Sequence, residues 1–179
     1  MRPALFLALA IPALALSACS KQEETPQSPE EIKAGMDDLA QAAKPQPGKY
    51  RTTIKVTKVE IPGVPAAESA KMQGMFGASG QSTEYCMTQA MADKGFEEWG
   101  KQAGKGNCKY DRMKIDGGTM DAVLTCEVGQ GMSSRTELKG SFTATGSDLK
   151  MKTETSGAGM PGGTMKMEAE MASQRIGDC

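Results

Sequence analysis

The second half of the chain alternates between apolar and charged residues with a period of two. The apolar positions of successive runs are Met120, Ala122, Leu124, Cys126 and Val128, then Leu138, Phe142 and Ala144, then Leu149 and Met151, then Met165, Met167, Ala169 and Met171. The positions between them carry Arg135, Glu137, Lys139, Lys150, Lys152, Glu154, Lys166, Glu168 and Glu170. This alternation is typical of antiparallel strands with one packed face and one solvated face. Short links predict that successive strands are neighbours in the sheet.

An earlier strand is predicted from Gly48 to Ile61. The parity of its apolar positions changes near Thr57 and Lys58, which predicts a β-bulge there. The following residues 66–81 are rich in Gly, Ala and Ser, and they predict a mobile connection with at most one helical turn.

Two helices are predicted. The first covers residues 28–44, where Ser28 begins a capping box and apolar residues then recur every three or four positions. Its narrow apolar stripe leaves open whether it packs on the domain or is loosely held. The second follows a short strand at 84–87 and runs from Thr88 to about Gln102. Together these elements predict a mainly β (α+β) fold: an antiparallel meander sheet of about six to eight strands, curved into a half-barrel or barrel, with two short helices.

The first residues of the chain predict export. Arg2 precedes an apolar stretch from Ala4 to Leu16, which as a helix is too short to cross the roughly 30 Å hydrocarbon core of a bilayer. The four residues Leu16 to Cys19 (LSAC) resemble the lipobox of bacterial lipoproteins. This resemblance implies cleavage before Cys19 and acylation of Cys19, which together anchor a protein stably to a membrane.

This interpretation divides the chain into four parts. We expect a lipoprotein signal peptide at 1–18, a lipidated flexible tether at 19–27, a short amphipathic helix at 28–44 and a disulfide-stapled antiparallel β domain at 45–179. The membrane is then a partner through the lipid anchor. By the same resemblance, Ser20 after the lipidated position favours the outer membrane facing the periplasm, with the inner membrane as the alternative.

Four of the five cysteines remain once Cys19 is assigned to the anchor. They are Cys86, Cys108, Cys126 and Cys179. An even number in an exported domain favours two disulfides, with three possible pairings. The Asp-Gly-Gly sequence at 116–118 is a strong hairpin turn, and a hairpin centred on Gly117 places Cys108 opposite Cys126. This favours a Cys108–Cys126 bridge and leaves Cys86 to pair with Cys179.

Composition limits the functions that are open. The 179 residues include no histidine, which excludes Ser-His-Asp and Cys-His catalytic sets and histidine-ligated zinc. The 21 basic residues against 22 acidic ones lack the basic excess typical of nucleic-acid binding. Acid–base catalysis is disfavoured at Glu97–Glu98, whose side chains diverge on a helix, and at Glu168 and Glu170, which lie among lysines. We therefore expect no enzymatic activity, no cofactor and no nucleic-acid partner.

Methionine is unusually abundant, with 14 residues. The pairs Met72/Met75 and Met165/Met167 offer thioether sulfur, which suits Cu(I), so copper handling is a remote alternative function. The favoured interpretation is that methionine fills gaps in the core of a chain with few aromatic residues. No metal site is therefore predicted.

Four sequence features occur together in residues 45–179. They are Pro47-Gly48-Lys49-Tyr50, Cys86-Met87-Thr88 before a helix, the Cys108–Cys126 hairpin, and the terminal Arg175-Ile176-Gly177-Asp178-Cys179. In this order they resemble a family of small bacterial envelope proteins, the domain-of-unknown-function family numbered thirty-six seventeen, although Tyr50 stands where a Trp is expected. The resemblance implies four paired cysteines and no established activity, and it supplies no catalytic residues.

Two functions of different classes fit these observations. The first is a non-catalytic binding module, in which the methionine-rich packed face holds an apolar or lipid-like ligand. The second is a structural or interaction protein with a filled core that binds another envelope protein. An enclosed apolar cavity of at least about 300 Å³ would favour the first, and a packed interior with an exposed apolar patch would favour the second.

Overall fold

The computed structural model describes residues 27–77, 80–96 and 107–179, and these form an antiparallel sheet with three α-helices. The helices are α1 (Pro29–Ala42), α2 (Ala66–Met75) and α3 (Gln89–Lys94). The strands are β1 (Gly48–Glu60), β2 (Gln81–Met87), β3 (Cys108–Asp116), β4 (Thr119–Gly129), β5 (Met132–Thr143), β6 (Gly146–Ser156) and β7 (Thr164–Gly177). A 3-10 turn at Pro161–Gly163 precedes β7. The prediction of a mainly β antiparallel meander is confirmed.

The sheet is open, with the strand order β2-β1-β7-β6-β5-β4-β3. Strands β3 to β7 follow one another as a meander, and the β1–β2 pair joins them because β1 pairs with β7. Strands β2 and β3 are consecutive in the chain yet form opposite edges, and no ladder joins them in the described residues. The closed-barrel alternative is therefore wrong. Closure would bring these edges together over the face that α1 and Phe96 occupy.

The β3–β4 hairpin has the predicted cysteine pair but a different turn. The turn is the two-residue segment Gly117–Gly118, whose φ angles of 53° and 83° are those of a type I′ turn. In the register that this turn sets, Cys108 would lie opposite Glu127. A bulge at Asp111 shifts the register by one residue, so Cys108 pairs with Cys126. The hairpin centre was predicted at Gly117 but lies between Gly117 and Gly118. The one-residue bulge restores the predicted pairing of Cys108 with Cys126.

Strand β1 contains the bulge that its sequence predicts. Its register with β7 shifts between Val56 and Lys58, so Val56 and Val59 are both buried on the packed face. The side-chain amide of Gln73 in α2 donates hydrogen bonds to the carbonyl oxygens of Val56 (3.3 Å) and Thr57 (2.8 Å). The bulge therefore fixes the position of α2 on the sheet.

Helix α1 begins with the predicted capping box. The Glu31 backbone N–H donates to the Ser28 hydroxyl (3.3 Å), and the Ser28 N–H donates to the Glu31 carboxylate (2.8 Å). Hydrogen bonding of the Glu31 carboxylate to Ser28, from the backbone N–H first and from the side chain second, lowers the pKa of Glu31. Met36 and Leu39 are buried in the same cluster as residues of β3 and β4. The helix is therefore docked on the domain.

Helix α2 replaces the predicted mobile connection. Most of its residues are Ala, Glu, Lys, Met and Gln, which are good helix formers, and tertiary packing adds to this local preference. Ser69 is buried, and Met72 packs against the sheet. The prediction failed because the Gly and Ser content of residues 66–81 lies mostly in the last third of that segment.

Helix α3 begins where the sequence predicts and ends sooner. The Thr88 hydroxyl accepts a hydrogen bond from the Met91 N–H (3.3 Å), as an N-cap does. Gly95, with φ of 51°, ends the helix after Lys94. The prediction of a helix to about Gln102 is therefore wrong at this point, and residues 97–106 lie outside the described chain.

The packed face of the sheet carries two separate hydrophobic clusters. The larger lies beneath α1 and consists of Met36, Leu39, Ala43, Met113, Met120, Ala122, Phe142 and Leu149. The smaller, which we call the α2 cluster, consists of Val56, Val59 and Ala169, with the partly buried Met72, Met151, Met165 and Met167 packed around them. Val128, predicted on this face, is 51% exposed because a register shift follows Glu127.

The opposite face is charged, as predicted, with an exception at Val123. This residue has the parity of the charged positions, yet only 1% of its surface is exposed. Its cross-strand partners are Arg112 and Glu137, and Asp121 forms ion pairs with Arg112 (2.7 Å) and Lys139 (3.0 Å). The stems of long charged side chains cover apolar surface while their ends stay in water. The prediction of a fully solvated face is therefore wrong at this residue.

Each disulfide holds one edge strand to the rest of the sheet. The Cys108–Cys126 bridge joins edge strand β3 to β4. The Cys86–Cys179 bridge joins edge strand β2 to the chain end after β7, and it spans β1, because Lys49 pairs with both Cys86 and Gly177. Both predicted pairings are confirmed. Edge strands pair on one side only and fray most easily, so the cross-links lie where the sheet is weakest.

Removal of the Cys86–Cys179 bridge should loosen β2 selectively. In the double variant Cys86→Ser/Cys179→Ser we expect the amide hydrogens of residues 81–87 to exchange at least about tenfold faster, because β2 pairs only with β1. Hydrogen-exchange mass spectrometry measures this directly. The control variant Cys108→Ser/Cys126→Ser should instead loosen β3, and equal acceleration in all strands of the first variant would contradict the prediction.

Candidate functional site

A half-open cavity of about 240 Å³ lies on the packed face beside the larger cluster. Its walls are mainly aromatic rings and methionine side chains, and small polar residues face it from the sheet. The lining includes Tyr50, Thr52, Tyr85, Phe96, Phe142, Ser147 and Ser173. The cavity therefore combines an apolar wall with a few hydroxyl groups, as small-molecule sites commonly do.

The cavity exists because one row of the sheet carries small side chains. Thr52 of β1 lies opposite Ser173 of β7, which in turn lies opposite Ser147 of β6. The adjacent row at the same face carries larger residues, among them Met171 and Leu149. The hydroxyls of Thr52 and Ser173 are 3.0 Å apart and hydrogen-bonded, so the floor meets part of its own hydrogen-bonding need. The space above this row is left for another group.

Tyr50 forms a rigid wall of the cavity. Its hydroxyl lies 2.8 Å from the carbonyl oxygen of Gln46 and 3.2 Å from that of Ala144, and it donates its proton to this pair of carbonyls. Burial raises the pKa of Tyr50, so the phenol stays protonated and remains a donor. The ring stacks on Tyr85 with centroids 5.8 Å apart. Tyr85 is more exposed and stands at the mouth.

The opposite wall is a second aromatic pair. Phe96, which follows α3, contacts Phe142 of β5 edge to face with centroids 5.1 Å apart. Aromatic pairs of this geometry hold their rings in fixed relative positions. Phe96 lies on the connection that follows β2, and its ring packs against the larger cluster, so this wall includes a residue from outside the sheet.

The lining of the cavity is poor in titratable groups. Its titratable side chains are the two tyrosines, whereas the candidate carboxylates Glu168 and Glu170 lie on the charged face, 3.6 Å from Lys152 and 3.7 Å from Lys150. Glu97 and Glu98 lie outside the described residues. Within those residues, no group of three or more His, Cys, Asp or Glu is placed to hold a metal ion.

The charged face carries two further hollows, of about 200 and 540 Å³. Across β1, β7, β6 and β5, one row reads Lys58, Glu168, Lys152 and Glu137, and the next reads Glu60, Lys166, Glu154 and Arg135. Opposite charges thus alternate along both rows, and their ion pairs are largely exposed. Exposed pairs contribute at most about 1 kcal/mol each. Charged side chains line both hollows, whereas ring contacts and hydrogen bonds hold the walls of the aromatic cavity, which is therefore the better-defined site.

The other predicted site residues are distributed unevenly. The proposed lipidation site, Cys19, lies outside the described residues. Met75 ends α2 with 83% of its surface exposed, whereas Met72 joins Met165 and Met167 in the α2 cluster. The structure therefore brings one methionine of the first pair together with both of the second. No helix in the described ranges is long and apolar enough to span a bilayer.

Sequence reasoning missed the residues that line the cavity. Ser147 and Ser173 share the parity of Leu149 and Met171, so small polar residues at packed positions were a usable signal. The contributions of Tyr85 and Phe96 had no such signal, because they depend on the placement of β2 at the edge and on the path of the chain after α3.

Comparison with known proteins identifies a family but no relative of known function. No curated protein and no solved structure matches the chain. A family model described as "Protein of unknown function (DUF3617)" matches residues 45–179, which begin just before β1 and include both disulfides. Because the match covers most of the sequence and the complete sheet, the chain belongs to the DUF3617 family of proteins of unknown function.

Proposed function

We propose that this protein is a non-catalytic binding module of the bacterial envelope, anchored to a membrane through Cys19, that holds a small apolar group in the aromatic cavity. The observation that carries the proposal is the unfilled row of Thr52, Ser173 and Ser147 beneath fixed aromatic walls. A sheet that needed only a filled core would carry larger side chains at these packed positions.

The size of the cavity limits the ligand. Its volume of about 240 Å³ and its half-open shape fall short of the enclosed cavity of about 300 Å³ that would favour a binding site for a whole ligand. The ligand is therefore narrower than a whole lipid, and a single ring or the end of one acyl chain fits the space. The half-open mouth beside Tyr85 lets the remainder of such a molecule stay outside.

A membrane anchor would keep this cavity close to apolar compounds. The disulfides indicate an oxidising compartment outside the cytoplasm. Gln27 is fixed to the β3 edge, since its N–H donates to the Tyr110 carbonyl (3.3 Å) and its side chain accepts from the Met113 N–H. The eight residue-to-residue steps from Cys19 to Gln27 extend at most about 29 Å. Acylated Cys19 would thus hold the domain within that distance of the bilayer, with the outer membrane favoured and the inner membrane as alternative.

A second candidate function is that of an interaction protein of the envelope. Met75 and Phe76, at the end of α2, are 83% and 50% exposed, which places apolar surface where a partner protein can contact it. In this alternative the cavity is only a packing defect. Ligand binding in the cavity distinguishes the two.

A cavity-filling substitution tests the binding proposal. We expect the neutral dye N-phenyl-1-naphthylamine to gain fluorescence with the native protein, and Ser147→Met to weaken its binding at least about fivefold, because the larger side chain occupies the cavity. The matched control is Thr155→Met, on the same strand and face but outside the cavity, which should leave binding unchanged. Absence of dye binding, or equal weakening by both substitutions, would favour the interaction protein.

Substitution of the proposed anchor tests the localisation. Cys19→Ala should move the protein from the membrane fraction to the soluble fraction of the envelope, because the acyl chains that hold it are lost. Immunoblots of separated inner-membrane, outer-membrane and soluble fractions measure this. Cys86→Ala serves as the control for loss of a cysteine, and an unchanged membrane fraction for Cys19→Ala would refute lipid anchoring.

A further inference from the structure

Four methionines from three separate elements surround the α2 cluster. They are Met72 of α2, Met151 of β6, and Met165 and Met167 of β7, and we call them the α2 methionines. All four pack against the buried cluster of Val56, Val59 and Ala169, and all four remain partly exposed. The fold thus gathers thioethers that are as many as 95 positions apart in the sequence.

The register of the sheet places Met167 within reach of both other strand methionines, whereas Met151 and Met165 are too far apart to share one ion. Met165 and Met167 are two residues apart on one face of β7, and Met151 lies opposite Ala169 on the neighbouring strand. Met151 and Met167 are therefore diagonal neighbours, with backbones about 7–8 Å apart. Each methionine side chain has three rotatable bonds, which is enough to bring neighbouring sulfur atoms together.

Helix α2 brings the fourth methionine over these three. The Gln73 amide holds the helix to the carbonyl oxygens of Val56 and Thr57 at the β1 bulge. Met72, the preceding residue, packs on Val56 and its neighbours in the α2 cluster. The bulge and the glutamine together fix where this sulfur lies relative to the sheet.

The α2 methionines differ from those of the larger cluster in accessibility. Met36, Met113 and Met120 beneath α1 are 7%, 5% and 4% exposed, so they are closed to an ion from solvent. The α2 methionines pack around a smaller buried centre and stay open on one side. The two sets have the same side-chain chemistry, which makes one an internal control for the other.

Methionine thioethers are the soft metal ligands that this domain offers. The chain has no histidine, and the four cysteines of the domain are in disulfides. Thioether sulfur favours Cu(I) over harder divalent ions. We propose that Met72 and Met167, together with one flanking strand methionine, form a binding site for one Cu(I) ion, which they take up in its reduced state without electron transfer. This site is independent of the aromatic cavity, and failure of either proposal leaves the other standing.

Binding of Ag(I) tests this site. Ag(I) has the charge and soft-ligand preference of Cu(I) and does not change oxidation state under these conditions. The full-length Cys19→Ala protein with intact disulfides avoids interference from a free thiol. By native mass spectrometry we expect it to retain one Ag(I), and Met72→Leu/Met167→Leu to weaken that binding at least about tenfold. Leucine nearly conserves the volume of methionine, so the fold should be kept, and circular dichroism checks this.

A control variant and the pH dependence distinguish a thioether site from one built of carboxylates. The variant Met113→Leu/Met120→Leu, which alters the closed cluster, should bind Ag(I) as tightly as the parent. Affinity should be constant between about pH 5 and pH 7.5, because a thioether has no proton to release, and the methyl resonances of the α2 methionines should shift on binding. No Ag(I) retention, equal loss in both double variants, or weaker binding at low pH would overturn the proposal.

Discussion

The structure depends on the stabilisation of the two edges of an open sheet. Strands β2 and β3 each have one hydrogen-bonded neighbour, and neither pairs with the other in the described residues. A closed barrel would remove both edges, but here two disulfides stabilise them instead. In the chain-entropy model, bridges between cysteines 18 and 93 positions apart contribute about 3 to 5 kcal/mol each. That is a large part of the roughly 5 to 15 kcal/mol by which domains are usually stable.

The open sheet leaves one face to be covered by short helices, and the cover is uneven. Helix α1 closes the larger cluster, whereas α2 covers a smaller one. Only eight residues of the chain are aromatic, so methionine fills much of both clusters. The small residues between Thr52 and Ser147 leave the aromatic cavity beside α3 unfilled. Both proposed sites therefore lie where this cover is incomplete.

The charged face helps to specify the register of the strands. Oppositely charged residues alternate across four strands, and a register slip of one residue would bring them to the packed face. The alternation thus specifies the register of long, similar strands. At Val123 the face also buries an apolar residue, which links β3, β4 and β5 on the side opposite the helices.

The sequence by itself determined the strands, the bulge in β1, the capping box of α1 and both disulfide pairings. Apart from the Cys86–Cys179 pairing, which follows by elimination, each of these depends on residues close in the chain, or on a parity that a sheet imposes at every position. At α2 and at the end of α3 the local signals were present but misinterpreted, since α2 is rich in helix formers and Gly95 ends α3. Val123 was missed because its burial comes from side chains on two other strands.

Only the tertiary structure decided which edges stay open, where the packed face is unfilled and which methionines meet. Of the two methionine pairs in the sequence, Met75 is exposed, and the other three methionines pack in the α2 cluster. Met151 joins them there. The fold likewise assembled the cavity from residues of β1, β2, β5, β6 and β7. These outcomes depend on strand order and on the path between edges. Neither is encoded in a local period, because a two-residue alternation is the same whichever strand lies alongside.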